Sequence, residues 1–239
     1  MKLMERFYQV GGPGLSHPHD ATAYLLQGEK ASYLIDCGTP DGFEQVVINI
    51  RSLGIDPRGI EAIYGTHGHY DHVGAASLFR QAFGCRLHLN REDIHGVAAG
   101  DGVLTTASLL YNKRFPPCPV DGELEEGTLL SEPAFSLECL HTPGHTPGSV
   151  CFVLSAGGSS VLIAGDTLHG GFSPLIGSSE AAWRDSLQML CARHFDFLVF
   201  GHQPASLLAD ADRRLDCLLR SYGVYYMPWF KNFYESFPY

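Results

Sequence analysis

The sequence predicts a layered α/β fold, in which strands and helices alternate along the chain. Short apolar stretches recur throughout the sequence, and their length is that of buried strands. Segments with apolar residues at helical spacing separate several of these stretches, and a glycine follows where such segments end. An alternation of this kind favours sheets covered by helices over an all-α or all-β architecture.

In the first half of the chain, apolar segments bounded by turn residues predict strands. These strands are expected at 22–27, 32–36, 60–65 and 86–89. The apolar spacing from Phe43 onward predicts a helix over 41–53. A second helix is predicted over 73–83, with Gly84 directly after it.

The second half of the chain repeats this alternation. Strands are predicted at 135–140, 149–154, 160–165 and 196–200. Helices are predicted at 179–192 and 204–220. The segment 100–128 between the halves is rich in proline and glycine, and we expect a helix near 103–112 followed by a loop. This segment either covers a substrate or is a plain surface connection.

Length and composition are those of a globular enzyme-sized chain. The 239 residues suffice for one domain over 1–239, and 45% of them are hydrophobic while 18% are charged. The sequence has no apolar run of transmembrane length, and its start does not resemble a secretory signal. The net charge of −10 disfavours a nucleic-acid substrate, because phosphate backbones would be repelled.

Cysteine usage indicates a reducing compartment. The seven cysteines are odd in number and form no C-x-x-C pair. Most lie in apolar stretches, so we expect buried reduced thiols and no disulfide framework. This pattern favours the cytoplasm.

The C-terminal tail, 222–239, is strongly aromatic, with nine Phe, Tyr or Trp among its eighteen residues. A solvated tail of this composition would expose a large apolar area. We therefore expect it to pack on its own domain, to line a pocket, or to form a homodimer contact.

The run T-H-G-H-Y-D-H holds four side chains that bind divalent metals. His67 and His69 are two residues apart, so they point the same way on an extended strand exit. Asp71 and His72 follow where the chain is expected to turn into a helix. Three imidazoles and a carboxylate so close together have no good structural explanation without a cation, because buried polar groups among them would have no partner.

Three further candidate ligands lie downstream. His145, Asp166 and His202 each follow one of the predicted strands, so they are expected at the same edge of the sheets. With the earlier run they make seven, which exceeds the three protein ligands of a single open zinc site. Seven are enough for two ions that share a carboxylate and a water.

These motifs resemble those of the metallo-β-lactamase fold superfamily of hydrolases. The H-x-H-x-D-H run of that family matches 67–72, and its next histidine matches His145 in H-T-P-G-H-T-P-G-S. Its bridging aspartate matches Asp166 in L-I-A-G-D-T, and its last histidine matches His202 in V-F-G-H-Q. The motifs follow in order across 22–202. The resemblance implies a four-layer αββα sandwich with the metal site at the edge between the two sheets.

The resemblance also implies how the ligands divide. The first ion would be held by His67, His69 and His145. The second would be held by Asp71, His72 and His202. Asp166 would bridge the two ions, which are zinc by ligand preference, with iron or manganese as alternatives. A hydroxide shared by the metals would attack a carbonyl carbon of a small-molecule substrate, and Asp71 would orient that hydroxide as a catalytic residue.

Further candidates lie on loops. His169 comes three residues after Asp166, where similar lactonases carry a substrate-contacting tyrosine, so it either donates to the substrate or is a loop residue without a role. His17 and His19 lie on an early loop that is a second candidate for substrate contact. The candidate outer partners of the ligating imidazoles are Thr66, Thr142 and Thr167.

The favoured function is a metal-dependent hydrolase of a small ester, thioester or lactone, similar to glyoxalase II and the acyl-homoserine lactonases. Only Lys231 is basic beyond Arg220, which disfavours the glutathione recognition of glyoxalase II. A β-lactamase is disfavoured by Asp166 and by the absence of a signal sequence. A mononuclear-iron enzyme similar to persulfide dioxygenases remains an alternative. A non-catalytic protein is disfavoured because no ligand has been lost.

Overall fold

The structure of the protein is a computed structural model that describes residues 1–168, 172–202 and 206–221. Its first sheet is mixed, and its bonded order follows the chain order. The strands of this sheet are β1 (Lys2–Met4), β2 (Phe7–Gln9), β3 (Tyr24–Gln27), β4 (Ser32–Ile35), β5 (Ile60–Tyr64), β6 (Arg86–Leu89) and β7 (Gly122–Glu123). The pairs from β1 to β4 are antiparallel, and those from β4 to β7 are parallel.

The second sheet is also mixed. Its strands are β8 (Gly127–Ser131), β9 (Phe135–His141), β10 (Val150–Ala156), β11 (Ser159–Ile163), β12 (Phe197–Val199) and β13 (Leu208–Ala209). The bonded order runs from β13 through β12, β11, β10 and β9 to β8. Only β11 and β12 pair in parallel, and a helix connects them.

Helices cover the outer faces of the sheets and connect their strands. The α-helices of the described residues are α1 (Phe43–Ser52), α2 (Tyr70–Val73), α3 (Ala76–Phe83), α4 (Arg91–Ala99), α5 (Ala107–Leu110), α6 (Glu180–Cys191) and α7 (Ala211–Ser221). None of these helices combines the length and the hydropathy that crossing a bilayer requires.

The first sheet is buried on both faces, because its side chains alternate between two apolar clusters. Leu25 and Leu34 are directly paired and pack outward against α1, in a cluster that includes Val46. Their neighbours Leu26 and Ile35 point the other way, into the cluster between the two sheets. The period of two in a strand accounts for this division.

The second sheet divides its side chains in the same manner. Phe152 and Leu154 on β10 face the first sheet, whereas Cys151 and Val153 face outward. The outward cluster is closed by α6, where Trp183 is fully buried. Helices, two facing sheets and helices therefore stack in the αββα order, and the expected sandwich is confirmed.

The helix expected over 73–83 is α3, which begins later than predicted, at Ala76, and the short helix α2 ends just before it at Val73. The break follows Gly74, where the backbone N–H of Ala75 donates to the carbonyl of Gly38 over 2.9 Å. This tertiary hydrogen bond replaces an intrahelical one, and it holds the short α2 against the end of the first sheet.

The helix expected over 204–220 begins later than predicted, at Ala211. Leu208 belongs instead to β13, where it pairs with Leu198. Asp210 adopts a positive φ of 58° and so turns the chain between strand and helix. Residues 204 and 205 of the predicted helix lie outside the described residues.

The segment 100–128 contains less helix than expected. Only α5 forms within 103–112, and residues with positive φ bound it, Thr106 at 62° and Asn112 at 51°. Two strands, β7 and β8, start in this segment although its composition predicts a loop.

The cysteines are free, as predicted, and five of the seven are buried. Cys191 is half-buried and Cys217 is exposed on α7, so the expectation of burial is wrong for Cys217. Burial raises the pKa of the Cys37 thiol far above its usual value, which keeps this thiol protonated and unreactive.

Candidate metal centre

All seven candidate ligands lie at one edge of the two sheets. His67 and His69 follow β5, and α2 carries Asp71 and His72 directly afterwards. The other three come from the second sheet. They are His145 in the loop between β9 and β10, Asp166 after β11, and His202 after β12.

Backbone hydrogen bonds join the loops of the two sheets at this edge. The N–H of Val150 donates to the carbonyl of Thr66 over 2.8 Å, and the N–H of Thr22 donates to that of Gly201 over 2.6 Å. Thr66 and Gly201 each precede a candidate ligand, so these bonds fix the distance between the two ligand-bearing loops.

The seven side chains form overlapping groups whose potential ligand atoms lie within 4.8 Å of one another. The first group is His67 with His69 and His145, and the second group is Asp71 with His72 and His202. A further set, His67 with His72 and Asp166, shares one histidine with each of them. The residues spread over 67–202 in the sequence therefore converge in space, in sets of the size that a divalent ion requires.

The first group consists of three imidazoles that face one another. Ring centroids are 4.4 Å apart for His67 and His69, 4.8 Å for His67 and His145, and 4.7 Å for His69 and His145. The Nε2 atom of His145 lies 3.0 Å from Nδ1 of His69. All three side chains are buried.

Asp166 lies between the first group and the second. One of its oxygens, Oδ2, is 3.6 Å from Nε2 of His145 and 3.2 Å from Nε2 of His202. The other, Oδ1, is 3.3 Å from Nε2 of His72. Asp71 completes the second group, with Oδ2 3.1 Å from Nε2 of His202. A single carboxylate thus faces ligands of both groups.

Two imidazoles of the first group, those of His67 and His69, are held neutral. Burial, followed by the neighbouring histidines, lowers the pKa of His67 well below its usual value. The pKa of His69 is lowered in the same way by burial and by His145. Neutral imidazole is the form that binds a metal ion, so His67 and His69 need no deprotonation to accept one.

The second half of the site is rich in carboxylates. Burial disfavours the charged form of His72, but Asp166, Asp36 and Asp71 outweigh it and raise the pKa. Burial also opposes the charge of His202, yet Asp166 and Asp71 raise its pKa to about 10. The pKa of Asp71 falls to about 2, because His72 and His202 outweigh its burial. The protons on His72 and His202 give these imidazoles a positive charge that offsets the neighbouring carboxylates. A divalent cation would take the place of those protons.

The donor set fits such a cation. The Nε2 atoms of His67 and His69 are buried, and within the described part of the chain they have no hydrogen-bond partner. A buried imidazole nitrogen without a partner is costly unless a ligand satisfies it. Both atoms lie in the group that brings three histidines together, so a metal ion bound there would satisfy them.

Asp36 and Thr66 set the orientation of two of these imidazoles. Thr66 donates its hydroxyl proton to Oδ2 of Asp36 over 2.8 Å, so Nδ1 of His67, 3.1 Å away, must donate to the Thr66 oxygen. Nδ1 of His72 lies 2.7 Å from the same Asp36 oxygen. Protons at both Nδ1 atoms leave both Nε2 atoms as ligands.

Asp36 is a functional residue that the sequence analysis missed, whereas Thr66 was expected. The signal for Asp36 in the sequence is an acid at the end of the apolar strand S-Y-L-I-D, where a charged residue is otherwise unusual. The other two threonine candidates, Thr142 and Thr167, hydrogen-bond to each other over 3.0 Å.

Asp93 on α4 is a second residue that the sequence analysis missed. Its buried carboxylate accepts hydrogen bonds from the N–H of Gly68 at 2.8 Å, the N–H of Gly148 at 3.0 Å, and the hydroxyl of Thr146 at 2.7 Å. Gly68 lies between two candidate ligands and Thr146 follows His145, so Asp93 ties the two ligand loops together.

We expect Asp93→Ala to lower the free energy of unfolding by about 2–6 kcal/mol, since the N–H groups of Gly68 and Gly148 lose their partner at about 1–3 kcal/mol for each unsatisfied buried group. Chemical denaturation of metal-free protein measures this change. The control is His95→Ala, an exposed position on the same helix, which should stay within about 0.5 kcal/mol. Equal stabilities of the two variants would contradict the assigned role.

Gly201 lets the His202 loop approach the site closely. A Cβ atom at this position would collide with Oδ1 of Asp166 and lie 2.9 Å from Cε1 of His72. The backbone N–H of Gly201 also donates to Gly165, directly before Asp166, over 2.8 Å. Glycine is therefore required here for space, because a side chain would push apart ligands of the second group.

The remaining candidates are placed as follows. His169, expected to donate to substrate, lies outside the described residues, as does the aromatic tail. His19 is exposed, and its ring centroid is 5.5 Å from that of Tyr111 and 5.2 Å from that of His17. The loop that carries both histidines reaches the site, since Ala21 N–H donates to the carbonyl of Asp71 over 3.0 Å.

Comparison with known proteins identifies a family and several relatives. A family model described as the metallo-beta-lactamase superfamily matches residues 18–202. The probable metallo-hydrolase YqgX of Bacillus subtilis is 29% identical over 82% of this chain and 92% of its own. The probable metallo-hydrolase MJ0888 of Methanocaldococcus jannaschii is 32% identical over 63% of this chain and 68% of its own. The hydroxyacylglutathione hydrolase GloC of Haemophilus influenzae is 32% identical over 62% of this chain and 66% of its own.

Solved structures show the same fold. The subclass B3 metallo-beta-lactamase BJP-1 of Bradyrhizobium japonicum superposes with a TM-score of 0.76 at 20% identity, covering 92% of this chain and 89% of that one. The metallo-beta-lactamase GOB-18 of Elizabethkingia meningoseptica gives 0.74 at 21% identity, covering 92% and 88%. At such low identity the likeness extends to the fold alone.

Proposed function

The chain belongs to the metallo-beta-lactamase superfamily, and we propose that it hydrolyses a small ester, thioester or lactone with two divalent ions. The observation that carries this proposal is the position of Asp166, whose carboxylate lies within 3.6 Å of imidazole nitrogens from both ligand groups. A carboxylate placed in this way can bind two neighbouring ions at once.

The residues divide between the ions as their groups suggest. His67, His69 and His145 would hold the first ion, Asp71, His72 and His202 the second, and Asp166 both. Imidazole and carboxylate donors suit zinc best. Two such ions would supply a Lewis acid and lower the pKa of a water molecule toward neutrality.

Asp71 has a further role in this proposal. Its carboxylate is ionised at neutral pH, because the two neighbouring imidazoles hold its pKa at about 2. It can therefore accept a hydrogen bond from the attacking water molecule and so orient it.

The substrate class rests on reactivity and on the named relatives. Acyl carbon is the electrophile that an activated water molecule and a Lewis acid attack together. GloC is named for hydrolysis of a hydroxyacyl thioester, which favours thioesters among the candidates. The β-lactamase structures share only the fold. Seven free cysteines are consistent with action in a reducing compartment such as the cytoplasm.

The test is metal analysis paired with a substrate screen. We expect the full chain, stripped and reloaded with Zn²⁺, to hold two ions and to hydrolyse simple thioesters or lactones faster than β-lactams. A chelator should abolish this activity and Zn²⁺ should restore it. Protein that holds two ions and cleaves none of these substrates would overturn the proposal. One iron per chain, with oxygen consumption on a persulfide, would favour an oxidoreductase instead.

A further inference from the structure

The loop of residues 11–20 lies between β2 and β3, beside the candidate metal centre. Directly after this loop, the N–H of Thr22 donates to the carbonyl of Gly201 over 2.6 Å, which ties the loop to the segment that carries His202. The side chain of His202 is 32% exposed, whereas the other six candidate ligands are buried. The site therefore opens to solvent on the side of His202, and the loop borders this opening.

The loop ends in Asp20, whose carboxylate is fully buried and has no part in the proposed reaction. Three hydrogen bonds reach this carboxylate from two directions. The N–H and the hydroxyl of Thr39, just before α1, donate to Oδ1 over 2.8 and 2.6 Å. The hydroxyl of Ser16, within the loop, donates to Oδ2. A buried carboxylate requires such donors, and through them Asp20 connects the loop to the start of α1.

Two glycines leave the space that this carboxylate occupies. A Cβ atom on Gly42 would collide with Oδ2 of Asp20, and one on Gly38 would lie 2.9 Å from its Cγ. A side chain at either position would therefore push the carboxylate out of reach of its donors. The start of α1 thus provides both the hydrogen-bond donors and the room for an acid at position 20.

The loop is hydrogen-bonded along its length. The hydroxyl of Ser16 accepts the N–H of Gly12 over 2.9 Å, and the N–H of Ser16 donates to the carbonyl of Gly12 over 3.0 Å. The side-chain amide of Asn49, on α1, donates to the carbonyls of Val10 and Leu15 over 2.9 and 3.0 Å. All of these bonds lie within the protein, so none of them depends on a bound substrate.

The part of the loop that Asp20 secures carries His17 and His19. The N–H of Asp20 donates to the carbonyl of His17 over 3.0 Å. The ring centroid of His19 lies 5.5 Å from that of Tyr111, so the loop meets the segment 100–128 at this point. The two connecting segments form a continuous surface there, and a substrate that enters through the opening would meet it.

We propose that Asp20 is a positioning residue that fixes the loop of residues 11–20 as a wall of the site opening, so that this wall is formed before a substrate binds. The inference rests on the proposed function, because it places the loop on the path of that substrate. Asp20 touches neither the substrate nor the ions, and it acts through the loop. An ordered wall costs no further conformational entropy on binding, so loosening it should weaken substrate binding and spare metal binding.

The first measurement is hydrogen–deuterium exchange of the loop amides in the full chain without substrate. Ser16→Ala removes the donor in the loop and leaves the bonds from Thr39 to Asp20 in place. Asp20→Asn removes the charge and one acceptor oxygen. In both variants we expect the loop amides to exchange about 10-fold faster or more, because a hydrogen bond to a carboxylate is lost. Amides in the middle of α1 should keep their wild-type rates.

The second measurement separates a positioning role from a purely structural one. With the best thioester of the substrate screen, both variants should raise KM about 10-fold and leave kcat and Zn²⁺ content unchanged. Ser16→Thr keeps a hydroxyl and should restore both the slow exchange and the low KM. The control is Ser52→Ala, which removes an exposed hydroxyl that donates to the carbonyl of Asn49 on α1. It should change neither exchange nor KM.

Wild-type exchange rates of the loop in both variants would overturn the inference, and so would a loosened loop with an unchanged KM. Either result is compatible with two-ion hydrolysis. If Asp20→Asn fails to fold, Ser16→Ala alone decides. A loosened loop in a chain that hydrolyses none of the acyl substrates supports the role of Asp20 in fixing the loop and contradicts only the proposed function.

Discussion

His69→Ala should abolish hydrolysis and remove most bound metal. His69 is one of three facing imidazoles in the first group, and it is buried with an Nε2 atom that has no hydrogen-bond partner in the described residues. Its loss leaves two histidines and a shared carboxylate for that ion. Lewis-acid catalysis contributes several kcal/mol, so we expect kcat/KM to fall by about a thousandfold or more, equivalent to ~4 kcal/mol.

Elemental analysis and initial rates on the same preparation measure this effect. His194→Ala is the control, because His194 is an exposed histidine paired with Asp212 at 2.5 Å on the protein surface. It should retain wild-type metal content and rate. If His69→Ala kept two ions and full activity, the first group would not be a metal site, and the assignment of the whole centre would be wrong.

Asp166→Asn should weaken at least one ion and lower kcat/KM by about a hundredfold or more, since even an outer-shell change costs about 10–100-fold. Asparagine keeps the shape of the side chain but lacks the negative charge and one acceptor oxygen. Both oxygens of Asp166 face imidazole nitrogens, Oδ1 toward His72 and Oδ2 toward His145 and His202. Neither oxygen can be lost without affecting the site.

Metal stoichiometry and stepwise Zn²⁺ affinity check this result, and Asp185→Asn provides the control. Asp185 is an exposed residue of α6, so the same change of charge there should alter neither affinity nor rate. An Asp166→Asn protein that binds two ions with wild-type affinity would rule out the shared carboxylate. The centre would then consist of two independent ions or of one.

Most strands and the longer helices follow from local patterns of the sequence. The strand expected at 135–140 is β9, and the helix expected at 179–192 is α6. A period of two in β9 and a period of 3.6 in α6 place apolar residues on a buried face. Local periodicity does not predict an element that is short or that is held in place by contacts with residues distant in sequence. Strands β1 and β13 contain three and two residues, too few for a recognisable period.

The helix α4 was not predicted although its sequence contains a start signal. The side chain of Asn90 accepts from the N–H of Glu92 over 3.2 Å at the start of this helix, with acids in its first turn. The helix buries Asp93, a polar residue that weakens its apolar pattern. Its importance lies in the hydrogen bonds of that acid to the ligand loops, which local periodicity does not reveal.

By itself, the sequence determined the fold class and the seven candidate ligands, because strand periodicity and the spacing of metal-binding side chains are local properties. Only the tertiary structure decided which groups surround them. Asp36 orients His72 across 36 positions of the chain, and Asp93 joins loops that are far apart in sequence. Such contacts arise when separate elements pack together, and no periodicity within one element records its neighbour.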